Sequence, residues 1–429
     1  MRYNPINHQL FIQNRINFCK QILANSLAIF HSNDVMPTNA DGAMGFVQNA
    51  DLYYLTGIDQ EETILILFPD APEEKWKEIL FIKETNEHIA IWEGNKLTKE
   101  QAREVSGIQT IYWTKDFDSI LHSVVFEAEN IYLATNEHAR NSSQVQSAND
   151  RALLKYKSQF PLHQYYRASP ILQNLRAIKS EIEITQIQTA CNITEKAFRE
   201  ILGFVKPGVW EFEIEALFMS EILKNRSRRP AYLPIVATGA NACVLHYIEN
   251  NAQCQSGDLL LLDLGAEYAN YHSDMTRTIP VNGKFTPRQK AVYEAVLRVL
   301  KQASQWLVVG NTLQEYHQNV GKIMEEELIG LGLLNKEEVK NQNPASPLYK
   351  KYFMHGTSHF LGLDTHDVGS RYRKFEAGMV FTCEPGIYIR EESIGIRLEN
   401  NYLITNDKPI NLMANIPIEV EEIESLMNK

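Results

Sequence analysis

Leu259–Leu262 is an unbroken run of leucines, and the residue that ends it is Asp263. A buried strand ordinarily continues such a run with another aliphatic side chain, because an unpaired carboxylate there is destabilising by several kcal/mol. Further acids follow, the last two again at the end of an apolar run. Tyr271–Thr278 carries Asp274 eleven residues after Asp263, Val380–Gly386 carries Glu384, and Gly395–Glu399 ends on Glu399. Between the pairs lies His355–His366, with imidazoles at His355, His359 and His366. The gap from Asp263 to Asp274 suits a short hairpin that brings both carboxylates together. A chain that buries four such acids needs a shared counter-charge, and a site for divalent metal satisfies that need.

At 429 residues the chain is too long for one ordinary core, so two domains are expected. The first 170 or so residues mix β-rich runs such as Ile64–Phe68 with helical stretches, as in an α/β domain. Ser180–Glu183 has the form of a capping box opening a long amphipathic helix that Pro207–Gly208 stops. A second helix is predicted over Glu211–Lys224, and a third from Thr286–Gln289, again a capping box with proline in its first turn. The expected boundary is therefore 1–175 and 176–429, with an α+β second domain in which a curved, largely antiparallel sheet carries the acids.

The formal charge of −11, without a basic tract, argues against nucleic acid and anionic membrane as partners. Met1–Leu10 lacks a signal-type apolar region, no stretch has the length of a membrane span, and a cytoplasmic location is expected. The five cysteines are odd in number and form no CxxC pair, which points to free, mostly buried thiols. Cys383 adjoins Glu384, but strand alternation sends it to the opposite face, into the core.

Carboxylate-dominated ligation with a single imidazole favours manganese, with cobalt, iron and zinc as alternatives. Two such ions close together activate water and polarise a carbonyl. His355 and His359 are spaced as a helical ligand pair, yet Gly356 and Gly362 argue for a loop or strand edge, with one histidine as ligand and one as substrate contact. His272 shares a strand face with Asp274, and is either a competing ligand or a hydrogen-bonded imidazole. Arg397 is either the ion-pair partner of an acid or a contact to the substrate.

Leu245–Tyr247, Asp263–Gly265, Ser273–Asp274, His355–His359, Asp364–Gly369, Glu384–Gly386 and Gly395–Glu399 together resemble the pita-bread metallopeptidases, and among them the Xaa-Pro peptidases that include aminopeptidase P and prolidase. Phe46–Gly57 resembles the amino-terminal signature of aminopeptidase P, a creatinase-like α/β domain, so the resemblance covers nearly the whole chain. It implies Asp263, Asp274, His359, Glu384 and Glu399 as ligands of a dinuclear, typically manganese, centre. Creatinase shares the fold without these ligands, and methionine aminopeptidase lacks the large first domain. Trp92–Gly94 is similar to a segment that brings a tryptophan towards a neighbouring subunit's site, which implies a homo-oligomer, dimer or tetramer. Where the family commonly has aspartate after the last ligand, this chain has Asn400.

The implied reaction is hydrolysis of the bond between a peptide's first residue and a following proline. Glu384 would take up a proton, His366 would stabilise the developing oxyanion and His246 would position the substrate around the scissile amide. His355, Tyr388 and Arg397 are the expected substrate contacts. The alternatives are a prolidase, confined to dipeptides, and a non-catalytic binding module of the same fold.

Overall fold

The computed structural model describes residues 3–429. They form two compact units, Tyr3–Arg176 and Ala177–Lys429.

The first unit is built on six strands: β1 (Ser26–His31), β2 (Ile64–Leu67), β3 (Glu78–Ile82), β4 (Thr110–Trp113), β5 (Asn130–Leu133) and β6 (Gln164–Arg167). Their order in the sheet is β4-β3-β2-β1-β5-β6. The central strands β1, β2 and β3 pair antiparallel, while β3–β4, β1–β5 and β5–β6 are parallel. Strands such as β2 are apolar at every position because helices cover both faces, the pattern of an α/β layer. Leu27, Ile29, Ile66, Phe81, Phe117 and Tyr156 fill one side of this sheet. The signature segment contains the helix Ala50–Thr56, whose N-cap Asn49 accepts from the N–H groups of Asp51 and Leu52.

In the second unit Ser180 and Glu183 close the expected capping box on the helix Glu181–Phe204. The helices Glu211–Lys224 and Pro287–Ser304 also form, the latter capped by Thr286 and Gln289. The strands are β7 (Ile235–Thr238), β8 (Leu259–Leu264), β9 (Glu267–Tyr268), β10 (Tyr271–His272), β11 (Met275–Pro280), β12 (Val380–Cys383), β13 (Gly386–Ile389), β14 (Ile394–Arg397), β15 (Asn400–Leu403) and β16 (Ile410–Asn411). All their pairings are antiparallel. The ladders divide into four short sheets, β11-β8-β7, β10-β9, β12-β15-β16 and β13-β14, which differs from one continuous curved sheet. The divisions fall at Ser273–Asp274, Glu384–Pro385 and Leu398–Glu399, where the chain leaves one ladder partner for the next. Three of the four acids thus occupy breaks between strands.

Among the described residues no helix is long and apolar enough to cross a membrane. All five cysteines are free thiols. Cys383 is fully buried and accepts from the Tyr316 hydroxyl at 3.1 Å, and burial pushes its thiol up to about 12, so it is a core residue.

Candidate metal centre

The β8–β11 ladder sets Asp263 opposite Thr276, so Asp274, two residues before Thr276, lies diagonally across from it. The hairpin between them closes tightly only because residue 265 is glycine. A Cβ there would lie 2.1 Å from the Ser273 carbonyl oxygen and 2.7 Å from the Tyr232 ring. Tyr232 fills that space and places its hydroxyl 2.6 Å from Oδ1 of Asp263 and 2.6 Å from Oδ1 of Asp274. One O–H proton serves both carboxylates, since a phenol carries a single donor. Burial and the surrounding acids push the Tyr232 pKa well above its ordinary value, which keeps that proton in place. No spacing or motif marked Tyr232: it is brought to the acids by a loop that joins the sheet through the isolated Pro230–Ala266 bridge.

The remaining acids converge on the same point. Oxygens of Asp274 and Glu399 and a ring nitrogen of His359 lie within 4.8 Å of one another, close enough to share one ion. His359 Nε2 is 3.4 Å from Asp274 Oδ2 and 3.5 Å from Glu384 Oε1. Its Nδ1 lies 2.9 Å from the Phe360 carbonyl oxygen, which only accepts, so Nδ1 carries the proton and Nε2 faces the acids. Glu399 accepts from the Thr276 hydroxyl at 2.7 Å, and Glu384 is held by Thr382 at 3.3 Å. Asp263 joins through Tyr232 and through Arg397, whose Nη2 is 2.5 Å from Oδ2.

Burial, followed by the neighbouring carboxylates, drives Glu399 well above the usual carboxylate range. Burial raises Glu384 to about 7, against the favourable His359. Burial alone would lower His359, but Asp274 and Glu384 outweigh it and raise it. Four carboxylates are thus confined where each disfavours the others' charge, and a divalent cation reverses that effect. The donor set of acid oxygens and one imidazole nitrogen fits such an ion.

Other residues named from the sequence form a chain beside this cluster. Arg397 donates to the Tyr388 hydroxyl at 2.9 Å and to Thr276 Oγ1 at 3.1 Å in addition to Asp263. Its buried guanidinium is thus ion-paired with Asp263. Tyr388 bonds His355 Nε2 at 2.8 Å, while His355 Nδ1 is 2.8 Å from the Gly356 carbonyl oxygen and 3.7 Å from Glu384 Oε2. Burial, with Arg397 next, pushes His355 down to about 3. His355 and His359 lie on an irregular segment, as the glycines implied. His366 is exposed and meets His359 edge to face, with ring centroids 4.4 Å apart. His246 is exposed on the loop after the short helical turn Gly239–Cys243, and no hydrogen bond joins it to the carboxylates. His272 is buried and hydrogen-bonded, with Nδ1 2.8 Å from Thr365 Oγ1. Asn400 accepts from the buried Arg277 at 2.7 Å, so the departure from aspartate leaves that guanidinium a neutral partner.

Residues 185–406 match the model for Metallopeptidase family M24, and residues 11–132 match that for the aminopeptidase P N-terminal domain. The Xaa-Pro aminopeptidase of Haemophilus influenzae is 34% identical, with 97% of each chain covered. Among solved structures, Pseudomonas aeruginosa aminopeptidase PepP superposes with a TM-score of 0.90 at 30% identity, covering 99% of this chain and 98% of that one. Zinc-substituted aminopeptidase P of E. coli in complex with product gives a TM-score of 0.88 at 32% identity, with 99% of each chain covered. A two-domain α+β chain with its acids gathered in the pita-bread half, this protein belongs to the M24 metallopeptidases and carries the aminopeptidase P N-terminal domain ahead of the peptidase domain.

Proposed function

We propose that this chain is a metal-dependent Xaa-Pro aminopeptidase, which hydrolyses the bond between a peptide's first residue and a following proline. The observation that carries the reading is the convergence of Asp274, His359 and Glu399 on one point, with Glu384 3.5 Å from the same imidazole. It occurs in a chain similar over almost its full length to Xaa-Pro aminopeptidases. The Xaa-Pro bond calls for a dedicated enzyme, because its tertiary amide lacks the N–H by which many peptidases align substrate and its ring fixes φ.

Asp263, Asp274, His359, Glu384 and Glu399 would hold two divalent ions, manganese by preference, with cobalt, iron or zinc as substitutes. Bound metal supplies Lewis acidity towards a carbonyl and towards water. Glu384, whose Oε1 lies 3.5 Å from the His359 ring, accepts a proton at Oε1 or Oε2. His366 projects from the loop beside His359 and donates an N–H to the developing oxyanion. His246 positions the peptide at the open side. Tyr388 and His355, ordered by Arg397, form the wall against which the proline side of the substrate packs. The free amino group is drawn to the acid cluster, which favours an unblocked terminus.

The exposed Ile91 and Trp92, each 78% accessible, support a homo-oligomer that covers them, a dimer or tetramer. Five free thiols support a reducing, cytoplasmic compartment. The division into domains at 1–175 and 176–429 belongs to the same reading.

A peptide panel tests the assignment. Xaa-Pro-Yaa tripeptides and longer peptides are cut at least as well as Xaa-Pro dipeptides, and Xaa-Ala-Yaa controls much more slowly. A prolidase would place a positive group against the proline carboxylate, so a longer substrate would leave that group unpaired. Turnover confined to dipeptides would replace the assignment with prolidase.

A further inference from the structure

His366 acts, in the reading above, from an exposed position on a segment without regular secondary structure, so something other than a ladder must hold it. The segment closes on itself. The Asp367 N–H donates to the Phe360 carbonyl oxygen at 2.9 Å and the Gly362 N–H donates to the Asp364 carbonyl oxygen at 3.1 Å, which brings His366 back against His359. At the closing residue, Lys179 Nζ lies 3.0 Å from Asp367 Oδ2, and both side chains are only 1% accessible. Lys179 is itself anchored, its N–H donating to the Gly378 carbonyl oxygen at 2.8 Å, immediately before the long helix Glu181–Phe204. On the other flank, the His272 N–H donates to the Gly362 carbonyl oxygen at 2.8 Å and its ring meets Thr365.

The pair leaves no room for error. A Cβ on residue 362 would lie 2.2 Å from Asp367 Oδ2 and 2.9 Å from Lys179 Cε, so only glycine lets the ion pair and the loop closure coexist. A buried lysine–carboxylate pair is seldom more stabilising than apolar residues of the same size, which leaves the fixing of one geometry as the better account of its presence. We propose that the buried Lys179–Asp367 ion pair is a positioning clamp for His366: Lys179 holds Asp367, and Asp367 holds the adjacent imidazole over the acid cluster. This rests on the Xaa-Pro aminopeptidase reading for its kinetic consequence, though not for its geometry.

Removing one charge breaks the ion pair but leaves the other charge buried, so the informative variant is the neutralised pair Lys179→Met with Asp367→Asn. Asp367→Asn alone serves if the double variant does not fold, because a buried lysine can shed its proton. With native circular dichroism and wild-type metal content, kcat on an Xaa-Pro-Yaa tripeptide falls by about tenfold to hundredfold while KM stays within about threefold. In a His366→Ala background the same changes lower kcat no further, since the clamp acts through the missing ring. The ring NMR signal of His366, identified by its loss in His366→Ala, shifts or broadens in the neutralised variant. Unchanged kcat, an additive loss in the His366→Ala background, or loss of metal overturns the clamp, the last by assigning the pair to His359. If wild type leaves Xaa-Pro-Yaa peptides uncut, the functional reading falls separately, and the ring signal alone decides the clamp.

Discussion

His359 and His366, seven positions apart in the chain, stand edge to face with ring centroids 4.4 Å apart. One imidazole turns its Nε2 to Asp274 and Glu384 and the other is exposed, so the neighbouring rings stand in different surroundings. His366→Ala is expected to lower kcat by about 10²-fold while metal content stays near wild type, as when an oxyanion donor is lost. Steady-state kinetics with elemental analysis of the same preparation checks this. A variant depleted of metal would place His366 among the ligands.

Replacing Asp263 or Glu399 by Ala should abolish metal-dependent turnover, and the reconstituted wild type should hold about two ions per chain. Inductively coupled plasma analysis gives the count, and chelator titration the dependence. Activity that survives exhaustive chelation in a metal-free protein would exclude the centre.

Tyr232→Phe removes the one proton shared by Asp263 and Asp274 while keeping the ring that fills the space beside Gly265. The two carboxylates lose a common tether, and metal affinity should fall by about tenfold or more, as for other groups that orient ligands. Competition with a fluorescent chelator measures it. Equal affinity in the two proteins would show that the β8–β11 ladder and the break at Asp274 place these two acids without the tether.

A pH-dependent prediction concerns the first domain. Burial, then Lys155 and Arg151, holds the His31 imidazole at about 4, below its ordinary 6.5. Between those values the unfolded chain binds a proton that the folded chain does not, so this contribution is fully present above 6.5 and is lost as pH falls towards 4. His31→Gln, which retains a partner for the Tyr156 hydroxyl 2.8 Å away, should show a shallower loss of stability over that range. Thermal melts at stepped pH values decide it, and parallel profiles would remove His31 from the acid response.

Local chemistry made much of this protein legible in advance. Ser180 with Glu183 and Thr286 with Gln289 announce helix starts because a cap is satisfied within four residues. Asp263, Glu384 and Glu399 stand out because each ends an apolar run where a carboxylate is costly, Asp274 stands out by its spacing from Asp263, and the motifs around them carry the family resemblance. The extent of each ladder was not legible, since the chain changes strand partner at Asp274, Glu384 and Glu399, and pairing depends on segments far away in sequence. Nor was Tyr232, whose hydroxyl reaches Asp263 across 31 residues and Asp274 across 42. Lys179 and Asp367 are separated by 188 residues and look like ordinary surface charges until folding buries both. Residue type and short-range spacing determined which groups could ligate, cap or pair. Only the tertiary structure decided which of them meet, because contact between distant segments depends on packing the whole core around them.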